Sequence, residues 1–166
     1  MTPLQIIFLG VAAATLASAI AVVTVRNLVH AALALIVTLF SVAVLFVLLE
    51  AGFLAVVQVV LYIGAIAILI IFAIMLTRRV MQDIGPQTNR MWWVAALLAV
   101  VLFAALWFVL PQVTFPITAG GVPANSLQVL GRSMVDPNLY ALPFEVASVL
   151  LVVALIGSIV VAGDKD

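Results

Sequence analysis

Five stretches of this 166-residue chain, each about 20 residues long, carry almost no charge, and that pattern constrains the fold more than any other feature. A helix needs roughly 20 mostly apolar residues to cross about 30 Å of hydrocarbon at about 1.5 Å per residue. The stretches are Leu4 to Val25, Leu28 to Leu49, Phe53 to Leu76, Met91 to Leu110 and Pro143 to Ala162. Polar punctuation separates them: Arg26-Asn27, Glu50-Ala51-Gly52, Thr77-Arg78-Arg79 and a long proline-rich stretch, with Asp164-Lys165-Asp166 at the end. Trp92-Trp93 and Trp107 sit near the two ends of the fourth run, where interfacial aromatic anchors belong. Backbone polar groups in lipid must be satisfied internally, and runs of this length do so as helices. The sequence therefore reads as an all-α integral membrane protein with five transmembrane helices in a single membrane domain over 1–166.

Composition excludes other classes. Only 7% of residues are charged, six basic and six acidic, while 68% are apolar, against about a quarter charged in soluble domains. No basic excess is available for nucleic acid. Without cysteine there is no disulfide, thiolate nucleophile, Cys-ligated cluster or Cys-type zinc site, and one histidine, His30, offers little to a metal or haem. No Ser-His-Asp set, phosphate loop or dinucleotide fingerprint occurs.

Ala17-Ser18-Ala19 resembles a small-residue cleavage site, but the start lacks a basic residue and the apolar run exceeds a signal core; the first run reads as a retained helix. With the N-terminus outside, Arg26, Arg78, Arg79, Arg90 and Lys165 fall on the cytoplasmic side and only Arg132 outside. The positive-inside rule favours that orientation, with a cytoplasmic C-terminus in the cell's inner (cytoplasmic) membrane. The first two connections are tight turns, and Arg78 to Arg90, with Gly85-Pro86, is a short polar loop. Residues 111–142, with Pro111, Pro116, Pro123, Pro137 and Gly120-Gly121, read as a turn-rich excursion on the outer face.

Polar groups inside a span are functional candidates because lipid makes them costly. Gln58 and Tyr62 are four apart in the third run and share a face of a regular helix, continued by Leu69 and Phe72. Gly64, Ala65 and Ala67 supply small residues for close helix approach. Two readings stay open: a packing helix whose polar groups bond to neighbours, or a helix in which Gly64 permits a local defect, such as a π-bulge, beside Tyr62. Glu50 is either an interfacial carboxylate beside the Gly52 turn or a relay carboxylate. Glu145 follows Pro143 in the first turn of the fifth helix, a common helix start. His30, near the start of the second helix, is either a hydrogen-bonded packing residue or a proton carrier.

The stretch from Glu50 through Phe53-Leu54, Gln58, Tyr62-Ile63-Gly64-Ala65-Ile66 and Phe72 to Met75-Leu76 resembles the signature of subunit J of proton-pumping NADH:quinone oxidoreductase, respiratory complex I. Arg26-Asn27-Leu28-Val29-His30-Ala31-Ala32-Leu33 is similar to that family's turn motif, with Leu28 where proline is common. Together these cover roughly residues 24–77. The resemblance implies a non-catalytic membrane-arm subunit packed among subunits A, H, K and N, within a translocase of the respiratory chain. It implies no cofactor in this chain, with NADH, FMN, iron–sulfur clusters and quinone handled by the rest of the complex. It also implies a third helix that switches between π-bulged and regular forms around Tyr62 and Gly64, opening or closing a hydrated path. The expected function is thus coupling of quinone reduction to proton translocation, with Gln58, Tyr62, Gly64 and Phe72 at the switch. The alternatives are a purely structural scaffold and the hydrophobic subunit of a related multi-subunit cation/proton antiporter or small transporter. No charge lies in the middle third of any span, which leaves an independent ion carrier little to work with.

Overall fold

The computed structural model describes residues 2–77, 90–113 and 125–163. The short loop over 78–89, the Pro116, Gly120-Gly121 and Pro123 part of the long connection, and Asp164-Lys165-Asp166 lie outside those residues. Five helices are long and apolar enough to cross a membrane: α1 (Pro3–Thr24), α2 (Leu28–Leu48), α3 (Gly52–Leu76), α4 (Trp92–Gln112, its last three residues a 3₁₀ turn) and α6 (Ala141–Gly163). Each agrees with its sequence-derived span to within about two residues at either end. This follows from the physics, because charges and turn residues interrupt apolar runs where the chain leaves lipid.

A further helix, α5 (Ser126–Val135), occupies part of the stretch read as a turn-rich excursion. Beyond the prolines and glycines, Leu127, Leu130 and Met134, spaced as on one face of a helix, are the signal for order. The start of α6 also shifts: the helix begins at Ala141, so Glu145 is its fifth residue and lies beyond the first turn.

The chain divides into two compact units, Met1–Ile117 and Thr118–Asp166. In the first, α1 packs along α2 and α2 packs along α3. The described residues that are fully buried are small or polar: Ala32, Ser41 and Ala43 on α2, and Ala55, Gln58 and Ala67 on α3. That is the expected composition where membrane helices meet, since lipid tails are as apolar as leucine and close approach must supply the attraction. Thr38 Oγ1 links α2 to α1 by donating to Ser18 Oγ at 3.0 Å. Every residue of α4 is exposed in the chain by itself. In the second unit α5 packs against α6.

Candidate functional site in the third helix

Two tight, well-bonded turns set the position of α3. At the start of α2, Asn27 is the N-cap, its side-chain carbonyl accepting from the backbone N–H groups of Val29 (3.0 Å) and His30 (3.4 Å). This satisfies two of the donors that a helix start leaves unpaired. It also gives the Arg26-Asn27 turn a structural role: Arg26 and His30 are exposed, and Leu28 holds the first helical position, where proline is favoured in general.

The other end of α2 closes in a Schellman motif. The Ala51 N–H donates to the Phe46 carbonyl at 2.9 Å and the Glu50 N–H to the Val47 carbonyl at 3.0 Å. The residue in the left-handed position is Glu50, with φ of 58°, where glycine is the usual occupant because it has no Cβ to strain. A non-glycine residue there costs about 1–2 kcal/mol. The Glu50 side chain is exposed.

From this turn α3 starts as regular helix, Gly52–Val57, and returns to it over Ile68–Leu76. Between them, Gln58–Ala67 is coiled as a π-helix. The π form bonds each N–H one residue further back than the α form and is usually confined to a single turn, often at functional sites; ten residues is long. Gly64 lies inside it with an ordinary right-handed φ, and a Cβ there would meet the Val59 carbonyl oxygen at 3.4 Å, an ordinary contact. Its contribution is therefore weak helix propensity rather than clearance, worth about 1 kcal/mol relative to alanine.

The wider coil changes which residues face inward. A regular helix turns about 100° per residue, so Tyr62, Leu69 and Phe72 would share the Gln58 face. Instead Gln58 is buried against α2, 7% exposed, while Tyr62 (46%), Leu69 (69%) and Phe72 (61%) are open. The inward positions after Gln58 are Ile63, Ala67, Ile70, Ile71 and Ile74, each at least half-buried. The expectation of one shared polar face is corrected: the π segment absorbs one residue and passes the inward role from Tyr62 to Ile63. The sequence signal for this shift is the twelve-residue spacing of the buried Ala55 and Ala67.

Gln58 Nε2 reaches the Leu39 carbonyl of α2 at 3.5 Å, the outer limit of a hydrogen bond. Beside it an apolar groove of about 410 Å³ runs between α2 and α3, lined among others by Phe40, Ala43, Val47, Ala55, Val59 and Val60. Tyr62 and Glu50 do not line it. The candidate residues therefore divide three ways. Gln58 is inside the helix pair, Tyr62, Gly64 and Phe72 are on the outer face of α3, and Glu50 is in the turn before it.

Residues 18–161 match the family described as NADH-ubiquinone/plastoquinone oxidoreductase chain 6. The chain belongs to that family. It is 41% identical over 147 residues to F(420)H(2) dehydrogenase subunit J of Methanosarcina mazei, an alignment covering 87% of this chain and 82% of the relative. It is 35% identical over 160 residues to NAD(P)H-quinone oxidoreductase chain 6 of a Synechocystis strain, covering 93% and 78%, and 38% identical over 157 residues to the corresponding chain of Leptolyngbya boryana, covering 93% and 77%. Membership in the chain 6 family extends the subunit J resemblance from residues 24–77 across α4, α5 and α6. This is a multi-pass membrane subunit of a hetero-oligomeric NAD(P)H-quinone oxidoreductase-type complex.

Proposed function

We propose that the chain is a coupling subunit, in which a change in the coiling of α3 links quinone reduction elsewhere in the complex to proton translocation. The observation that supports this most directly is the π segment over Gln58–Ala67 with its shifted burial register. Converting the whole segment to α geometry would release the absorbed residue, turning the helix beyond it by about 100° and lengthening it by about 1.5 Å. Tyr62 and Leu69 would then swing toward α2 and Ala67 away from it. A rotation of that kind moves a phenol hydroxyl into or out of a path for water while breaking no covalent bond and stranding few backbone groups.

On this reading the chain binds no cofactor of its own, and the electron donor, FMN, iron–sulfur clusters and quinone belong to other subunits. The relatives' names cite F(420)H(2) in one case and NAD(P)H in others, which fits a membrane subunit indifferent to the donor. The partners would be the other small hydrophobic subunits, A, H, K and N, meeting the exposed outer surfaces of α3 and α4. The membrane would be the cell's inner membrane, with the N-terminus outside and the arginine-rich turns in the cytoplasm. Glu50 would be a relay group at the outer end of α3.

The test is Gly64→Leu, compared with Gly64→Ala, in the assembled complex. Leucine and alanine both strengthen regular helix by about 1 kcal/mol over glycine, and leucine adds bulk on the outer face. Gly64→Leu is expected to impair proton pumping or quinone reductase activity per assembled complex, with Gly64→Ala affected in the same direction but less. Normal pumping and activity in assembled Gly64→Leu complexes would overturn the coupling role and leave the scaffold reading.

A further inference from the structure

We infer that α5 is an interfacial helix that lies on the bilayer surface at the end of α6, with Leu127 and Val135 in lipid and Arg132 toward the phosphates. This rests only on α6 crossing the membrane, and not on any coupling role for α3.

The sequence of α5 separates by face. At about 100° per residue, Leu127, Leu130, Gly131, Met134 and Val135 occupy one side, and Ser126, Gln128, Arg132 and Ser133 the other. Val129 is the single large apolar residue on the polar side. Strong segregation with modest overall hydrophobicity marks helices that lie in a membrane interface rather than cross it. Part of the apolar side is used within the chain: Leu130 and Met134 line a pocket of about 540 Å³ with Tyr140, Pro143, Phe144 and Ala147 of the α6 start. Leu127 (58% exposed), near the middle of that side, and Val135 (69% exposed), at its edge, are left uncovered.

The occupant follows from where the helix is held. Four residues, Pro137 to Tyr140, and Asp136 before them join α5 to α6, and the turn is closed at several points. The Tyr140 N–H donates to the Ser133 carbonyl at 3.0 Å, and the Leu139 and Ala141 N–H groups donate to the Asp136 carbonyl at 3.0 and 3.3 Å. The Asn138 N–H donates to Asp136 Oδ1 at 2.9 Å. Helix α5 therefore cannot stand far from the mouth of the span. Its contact residue Ala147 lies six residues into α6, about 9 Å along the axis, whereas α6 with 23 residues is about 4 Å longer than the hydrocarbon it must cross. Ala147 therefore lies about 5–7 Å inside the hydrocarbon edge, within the depth of about 5–10 Å to which an interfacial helix buries its apolar face. The apolar surface of α5 continues that of α6 through Leu130, Met134 and Phe144, so the layer around α6 also meets Leu127 and Val135. Arg132, in the last turn and on the opposite side, has the length and charge to reach anionic phosphate.

Single cysteines test the placement, because the chain has none of its own and its band on a gel reports only the introduced one. With the complex in native membranes, a membrane-impermeant maleimide should label Val129→Cys and Arg132→Cys, the positions farthest from the apolar side, roughly tenfold or more faster than Leu127→Cys and Val135→Cys, the ratio expected when a leucine-sized surface leaves water. In a second measurement, a bimane fluorophore on Leu127→Cys is followed in complexes reconstituted into phosphatidylcholine vesicles carrying a doxyl quencher near the headgroup, with the unsubstituted complex labelled alike as background. Quenching at Leu127→Cys and none at Val129→Cys is the expected result. Equal labelling rates at all four sites would place the helix in water and overturn the inference. Protection of Leu127→Cys without lipid quenching would mean a neighbouring subunit covers it, and would overturn it as well.

Discussion

Helices α2 and α3 lie side by side, are similarly apolar, and each buries a pair of alanines, but the pairs are spaced differently. On α2, Ala32 and Ala43 are eleven residues apart, which in a regular helix is three turns and about 20°, so both point the same way. On α3, Ala55 and Ala67 are twelve apart, which would leave them about 120° out of line. The π segment removes that discrepancy by absorbing one residue. Helix α2 keeps one register from an asparagine cap to a Schellman turn, whereas α3 holds its two ends against α2 only while its middle stays overwide. The buried alanines are thus a gauge of the coil, and in α3 they favour the π form.

The most damaging way to test this contrast is Ala67→Leu. At 1% exposure the site has no room for three more carbons, and overpacking there penalises the π form by about 1–3 kcal/mol relative to a coil that swings residue 67 outward. Quinone reductase activity per assembled complex should fall by about tenfold, while Ile66→Leu, at a half-exposed position, should leave it unchanged. A variant on the regular helix has a smaller, local effect. Asn27→Ala removes the cap of α2 and costs about 1 kcal/mol, which should appear as roughly fivefold faster hydrogen exchange at the Val29 and His30 amides with α3 unaffected. The smallest effect is expected from Gln58→Leu. The bond to the Leu39 carbonyl is long, interhelical polar bonds in membranes average about 0.6 kcal/mol, and leucine fills much of the same space, so the melting temperature of the complex should drop only slightly. A drop as large as that of Ala67→Leu would show that Gln58, and not the alanine register, holds the coil.

The sequence carried the spans well and the interior of α3 poorly, for one reason. Span ends are written in charges and turn formers, such as Arg26-Asn27 and Glu50-Ala51-Gly52, whose cost in lipid is large and independent of neighbours. The faces of α3 depend instead on a periodicity assumed to be 3.6, and one residue of slippage transfers Tyr62, Leu69 and Phe72 from inside to outside. Gly64 hinted that the coil could change but not by how much; only Ala55 and Ala67, compared with their partners on α2, carry the count. Helix α5 is hard to read on similar grounds, because its apolar face has only four large residues, Leu127, Leu130, Met134 and Val135, and proline-rich chain precedes them. Glu50 could not have been assigned a left-handed conformation from sequence, since glutamate is a poor occupant of that position and Gly52, two residues on, is the more obvious turn former.

The turn at Glu50 has a mechanical consequence. With the Phe46 and Val47 carbonyls engaged by the next two N–H groups, and with Ala55 and Gln58 buried just beyond, the first turn and a half of α3 is fixed to α2 as though by a vice. A rod gripped at one end and wound or unwound along its middle can turn only at the other. On the coupling reading, a torque generated between Gln58 and Ala67 would be delivered toward Thr77, with the Glu50 end as the stator.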